Sequence, residues 1–236
     1  GYTYVPDDNF EQALIDLGYD DTLDDFVLIE NISGVTSLNV NERQISDLTG
    51  IEDFASLTTL FCRSNQLTSL DVSSNTALVS LYCYYNFLTS LDMSSNTALI
   101  DLDCNWNQLT SLDVSANTAL TNLICHNNQL TSLDVSSNTA LTDLHCSTNQ
   151  LTYLNMKNGV TDALTTFHVT TNSLTCIEVN AEDIDYATEN WTYENGNIDE
   201  GVTFQEIGCQ TINIPAYYST IQAGIDAANE GATVLV

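Results

Sequence analysis

Three histidines, His126, His145 and His168, are the side chains of this 236-residue chain best suited to proton transfer or metal binding. They recur near one position of an internal alignment, which places His145 and His168 as neighbours able to share a metal. Tetrahedral zinc needs three or four protein ligands, and no cysteine or third histidine converges with that pair. No nucleophile is paired with a base either, so no catalytic residue is expected. A second set is richer: Phe61, Tyr82, Tyr84, Tyr85, Phe87 and Trp106 gather beside Asp101, Asp103 and Asn105. Exposed rings pack on the C–H faces of sugars while flanking Asp and Asn take hydroxyls. Rings are equally enriched at protein interfaces. The competing reading is ring packing between strands that only stabilises a sheet. With His126 and His145, these nine residues form the candidate ligand site.

A third set is Asp71, Asp92, Asp113 and Asp134, each 21 residues after the last (92−71). Like charges ~5 Å apart repel by about 1 kcal/mol per pair even in water. Such a ladder is either a solvated acidic face or holds cations, and calcium is the hard ion that takes carboxylate oxygens. Asp20, Asp21, Asp24 and Asp25 form a second calcium candidate. The regular Ser-Asp-Ser array would also suit an ice lattice, but a charged column through its middle argues against that. No other cofactor is implied.

The elements that must position these side chains follow from a repeat. Cys62, Cys83, Cys104, Cys125 and Cys146 share the 21-residue spacing (83−62), and alignment on them gives LTTLFCRSNQLTSLDVSSNTA from Leu57. Similar copies start at Leu78, Leu99 and Leu120, with divergent ones at Leu141 and Leu164. A period of 20–29 residues with Leu-x-x-Leu-x-Φ-x-x-Asn inside is the leucine-rich-repeat signature. Each unit holds the pattern twice: Leu57, Leu60, Cys62 and Asn65 are echoed by Leu67, Leu70, Val72 and Asn75. This nested half-repeat resembles the bacterial leucine-rich-repeat class called IRREKO, of Bacteroidetes type, over roughly residues 35 to 175. Alternation at Leu60-x-Cys62 and Leu70-x-Val72 predicts two short strands per coil. The expected fold is a β-rich solenoid of flattened coils with two parallel sheets, stacked ~4.8 Å apart so that neighbouring coils bury each other's leucines.

The repeated Asn65, Asn86, Asn107, Asn128, Asn149 and Asn172 are expected to satisfy backbone groups where the strand turns, as scaffold rather than site. The ladder cysteines are expected as buried thiols. Their side chains run parallel, so adjacent Cβ atoms stay too far apart for disulfides.

Residues 1–34 read as an N-terminal cap, with a helix entered at Asp7-Asp8-Asn9, an apolar stripe of Phe10, Leu14 and Leu17, and a stop at Gly18. Repeats occupy 35–175, the stretch from Val35 to Phe54 being an atypical first one of internalin style. Residues 176–210 form a C-terminal cap. There the two off-grid cysteines, Cys176 and Cys209, are predicted to pair, a link worth roughly 3–4 kcal/mol. Residues 211–236 resemble the entry segment of a pectin-lyase-like right-handed β-helix domain, with a helix after Ser219 and a final strand Thr233–Val236 left without a pairing partner. The chain reads as a fragment of a longer protein, whose export signal has been removed or lies outside it.

Charge narrows the partners. Lys+Arg is 3 against Asp+Glu 32, a formal net charge of -29. Phosphate contacts need Lys and Arg to release counterions, so nucleic acid and anionic membrane surfaces are excluded. No apolar run approaches the ~20 residues that span a bilayer. The second half of each unit is nearly constant, whereas the outward positions of the first half differ in every copy. That combination predicts a non-catalytic recognition or adhesion module, extracellular or on a cell surface, that binds a polysaccharide or a protein. A structural spacer, or an accessory module targeting the polymer cleaved by a larger β-helix enzyme, is the alternative. Oligomeric state is left open.

Overall fold

A computed structural model of the chain describes residues 1–209, and strands 211–213 and 233–235 beyond them. It begins with β1 (Tyr2–Tyr4), α1 (Asp8–Asp16), β2 (Phe26–Leu28) and α2 (Ile29–Ile32). Then come β3 (Ser37–Asn39), β4 (Thr59–Phe61), β5 (Ser80–Tyr82), β6 (Asp101–Asp103) and β7 (Asn122–Ile124). They are followed by β8 (Ser132–Asp134), β9 (Asp143–His145), β10 (Tyr153–Asn155), β11 (Thr166–His168), β12 (Cys176–Glu178), α3 (Ile184–Asn190) and β13 (Thr203–Gln205). Every strand is three residues long because each coil turns after one inward side chain, and the outward neighbours are only partly covered.

The chain is a parallel solenoid of about seven turns. One sheet has seven strands in the order β11-β9-β7-β6-β5-β4-β3, and a second has four in the order β13-β12-β10-β8. The register pairs Leu60 with Leu81, Leu81 with Leu102, and Leu102 with Leu123. Each leucine therefore lies directly over the next, and the ladder cysteines are fully buried beside them as free thiols. Burial pushes Cys62 and Cys125 up to about 12, which leaves these thiols protonated and chemically quiet.

The second sheet is shorter than two strands per coil would give. Around Leu70, Leu91 and Leu112 the chain forms no regular strand. Inter-coil bonds there run through side chains instead. Asn96 Nδ2 donates to Val72 O, Asn117 Nδ2 to Met93 O and Asn138 Nδ2 to Val114 O, each at 3.0 Å. A backbone ladder begins only at Ser132–Asp134, which pairs with Tyr153–Asn155.

Both ends of the core are covered. The α1 helix presents Phe10, Ala13 and Leu14 to the interior, while Leu17 lies beyond its last turn and is exposed. Asp7 joins this cap to the first repeat. Its Oδ1 accepts from the Asn9 and Phe10 amides, and its Oδ2 from the Ser46 amide and hydroxyl and the Asp47 amide. Partial burial opposes ionisation of Asp7, but the Ser46, Phe10 and Asp47 bonds outweigh it and hold its pKa below the ordinary value. This carboxylate's stabilising contribution is therefore complete above the unfolded value of about 3.9 and is lost as pH falls through the lower folded value. Asp7→Ala is expected to cost about 2–3 kcal/mol at pH 7, and the wild-type-to-variant gap should close in urea melts taken toward pH 2.

At the other end Trp191 stacks on Phe167 at 3.8 Å, and Cys176 and Cys209 form a disulfide, as their positions off the repeat grid predicted. Thr233–Leu235 pairs in parallel with Thr211–Asn213, so it does not lack a partner strand. The helix expected after Ser219 lies outside the described residues.

Candidate functional site

Phe61, Tyr82, Asp101, Asp103 and His145 occupy outward positions of the first sheet, whereas Tyr84, Tyr85, Phe87, Asn105, Trp106 and His126 lie in the segments that follow its strands, and Asn105 is buried rather than presented. Tyr82 lies opposite Phe61 and Asp103 in register, and Phe61 and Tyr82 stack with centroids 4.9 Å apart and planes within 5°. The Tyr82 hydroxyl donates to Asp101 Oδ2 at 2.5 Å, and Asn122 donates to Asp101 Oδ1. Burial first, and then this bond to Asp101, push the Tyr82 phenol up to about 12. Phe61, Tyr82 and Asp101 thus brace one another across three coils. This part of the set fits the sheet-packing reading.

The other rings stand apart from the strands. Ser64, Tyr85, Trp106, Asn127, Thr148 and Thr171 occupy one column, and all have φ between 50° and 60°. That left-handed region favours Gly or Asn and is costly for large side chains. Asn127 suits it; Tyr85 and Trp106 do not. Yet these two stack at 5.3 Å, within 16° of parallel, and each is about half exposed (49% and 47%). Tyr84 meets Tyr85 edge-on at 5.8 Å, and Arg63 lies over the Tyr84 ring at 5.7 Å. Phe87, two residues after Tyr85 in the same coil, is exposed and pairs with no ring among the described residues. It shares the protein surface with the cluster but not its stacking.

Asp103 lies in register between Tyr82 and Ile124, three residues before Trp106 on the same coil. Its Oδ1 accepts from the Asn105 side chain, and desolvation raises its carboxyl to about 6. Its other oxygen has no hydrogen-bond donor among the described residues.

The histidines form a stack of their own. His126 and His145 rings lie 4.1 Å apart, and His168 meets His145 edge-on at 5.5 Å. The register confirms His145 and His168 as column neighbours, although the closer ring pair is His126 with His145. Burial, then the nearby His126 and His168, push His145 down to about 4. An unfolded chain takes up this proton near pH 6.5, so stability falls as pH drops from about 6.5 toward 4. His145→Asn is expected to remove that part of the acid loss, read as a smaller change in urea midpoint between pH 7 and pH 4.5.

The Asp ladder sits on the opposite side of the coil. Asp71, Asp92, Asp113 and Asp134 each accept from the amide of the serine two residues on, at 2.9 Å. The Ser73, Ser94 and Ser115 hydroxyls and amides hold Asp71, Asp92 and Asp113 below the ordinary carboxylate range. Local hydrogen bonds therefore favour these charges without a bridging cation. Among the described residues no three His, Cys, Asp or Glu side chains converge in a metal-binding group. In the N-terminal cap, Glu11 Oε1 and Asp24 Oδ1 both accept the Phe26 amide.

Sequence columns passed over two contributors: Arg63, which caps the Tyr84 ring, and Asp143, which accepts from Thr142 and Thr165 beside His145. Both were visible in the internal alignment as outward, varied positions. Neither belongs to a chemically obvious set.

Coil stacking, a fully buried cysteine ladder and a varied outward face define a leucine-rich-repeat solenoid. Over 76 residues the chain is 40% identical to Internalin J of Listeria monocytogenes serotype 4b (strain F2365), covering 31% of this chain and 8% of that protein. The solved functional domain of InlJ from Listeria monocytogenes, which includes a cysteine ladder, matches with TM-score 0.50 and 31% identity over 76% of this chain and 52% of that one. Internalin C2 of the same species (strain 4b F2365) matches with TM-score 0.57 and 18% identity, over 86% of this chain and 95% of its own. A leucine-rich-repeat protein of Leptospira interrogans matches with TM-score 0.58 and 21% identity, over 79% and 46%. These last two likenesses speak for the fold alone. No protein-family model matches the chain. Among the described residues no helix is long and apolar enough to cross a membrane.

Proposed function

We propose that this chain is a non-catalytic recognition module, extracellular or displayed on a bacterial surface, whose first-sheet face binds a glycan or protein ligand. One observation carries the proposal: Tyr85 and Trp106 are stacked, exposed and held at left-handed backbone positions on a scaffold that is otherwise constant. Backbone strain of this kind is retained where the surroundings impose it, and it concentrates at binding sites. Sheet packing explains Phe61 and Tyr82 but does not require large rings at Tyr85 and Trp106, since the next coil manages with Asn127. The Cys176–Cys209 disulfide suits an oxidising compartment, and the internalin relatives accord with a surface or secreted protein.

The test is a screen of glycan and host-protein arrays with the chain and its Tyr85→Asn/Trp106→Asn variant. Asn127 shows that asparagine suits this backbone, and the left-handed cost relieved roughly offsets the ~0.5–1.5 kcal/mol of ring stacking lost. The variant is therefore expected to fold. A hit lost in the variant supports the recognition role. Undiminished binding by the variant, or no hit at all, leaves the spacer reading in its place. Turnover of any arrayed substrate would overturn the non-catalytic reading.

A further inference from the structure

The face also indicates the chemistry of what it binds. All three basic side chains of the protein are engaged: Arg43 with Asp16 at 2.5 Å, Arg63 with Glu42 at 2.8 Å and Lys157 with Glu178 at 3.2 Å. No Lys or Arg side chain is left unpaired to meet an anionic ligand, and the chain carries a formal net charge of -29. Field complementarity then favours a cationic partner and repels sulfated or carboxylated polymers.

The cluster also shows how a cation would be held. Arg63, one coil before the exposed pair, lies over Tyr84 at 5.7 Å while its guanidinium is balanced by Glu42. A ring beneath and a carboxylate beside is the arrangement that holds a guanidinium. One coil on, the same kinds of group recur with no cation among them. The Tyr85–Trp106 stack is exposed, and Asp103 on the same coil as Trp106 has an oxygen without a donor. Asp101 is no substitute, because both its oxygens are occupied, by Tyr82 and Asn122.

We infer that the partner is a protein offering an arginine-bearing basic segment, with a guanidinium seated on Tyr85 and Trp106 beside Asp103. The inference rests on the recognition role proposed for this face. Burial that raises the Asp103 carboxyl to about 6 is consistent with a carboxylate short of a counter-ion, one that a guanidinium would supply.

The experiment titrates the whole chain at 150 mM salt, by calorimetry, with three probes: hexa-arginine, its neutral isostere hexa-citrulline, and cellohexaose. Two variants separate the face from the general negative field. Tyr85→Asn/Trp106→Asn removes the rings, and Asp92→Asn/Asp113→Asn removes two charges from the opposite side while keeping the oxygens that accept the Ser94 and Ser115 amides. Hexa-arginine is expected to bind at least about tenfold more tightly than hexa-citrulline. The ring variant should lose about tenfold and the ladder variant less than about twofold, as a desolvated cation–π contact implies. Equal losses in both variants, or no hexa-arginine binding, would overturn the inference, since the field alone would then be acting. Cellohexaose or citrulline bound as well as arginine, and lost with the rings, would leave the recognition role standing but reject the basic partner. Ring-independent binding of every probe would remove both.

Discussion

Asn107→Ala is expected to lower the stability of the solenoid by about 3–5 kcal/mol although the residue lies outside every strand. Its Nδ2 donates to the carbonyls of Cys83 and Cys104, both at 3.1 Å, and of Asn105 at 3.3 Å, and its Oδ1 accepts the Leu88 amide at 2.9 Å. One side chain thus satisfies backbone groups of two coils in the interior. Each buried group left without a partner costs about 1–3 kcal/mol, with carbonyls at the lower end. Asn86, Asn128 and Asn149 make the same set of bonds in their own coils, and Asn65 differs only in that its Oδ1 accepts two amides, from Arg43 and Ile45, so equivalent variants should behave alike. Gln108→Ala, at the exposed neighbour, should change little, within about 0.5 kcal/mol. Urea unfolding followed by circular dichroism measures both. A loss below about 1 kcal/mol for Asn107→Ala would mean that the ladder does not carry the turns.

The second large effect lies in the C-terminal cap. Glu178 is almost fully buried, and its Oε2 receives Lys157 Nζ at 3.2 Å and the Tyr153 hydroxyl at 3.1 Å. Its Oε1 takes the Cys209 amide at 3.3 Å, so the ion pair and the disulfide close the same end of the core. Lys157→Met strands a buried carboxylate and is expected to cost about 3–5 kcal/mol. Lys157→Met/Glu178→Gln removes both charges, keeps the oxygen that accepts the Cys209 amide and turns an NH2 to the Tyr153 hydroxyl, which can accept in place of donating, so it should recover most of that loss. If the double variant is no better than the single one, the damage lies in packing around Lys157 rather than in the unpaired charge. Because the disulfide serves the same cap, its removal and Lys157→Met should not be additive.

Much of this architecture was legible before any coordinates. Inward positions of a coil can be filled only by small or branched apolar groups that stack on copies of themselves, so Leu60, Cys62 and their equivalents announce the period. Cys176 and Cys209 stood out because they break it. Asn65 was legible as scaffold because a turn repeated at one position needs the same amide at each repeat. Less was legible at the second sheet. Leu70-x-Val72 and Leu133-x-Val135 read identically, yet only the latter half-coil forms a strand with a ladder.

The candidate site divides along the same line. Fold, burial of the thiols and the scarcity of Lys and Arg follow from residue type and period, which act locally and are the same in every coil. Which rings are bracing and which are presented was decided only in three dimensions. Tyr84 and Tyr85 are adjacent in the chain, but one is covered by Arg63 while the other stands exposed at positive φ against Trp106. The aspartates likewise look alike in sequence. Asp71 and its equivalents are held by their own serines, whereas Asp103 sits desolvated with a free oxygen, because register places it between Tyr82 and Ile124 instead of at an open turn. Such differences arise from contacts between coils, and no column of letters carries them.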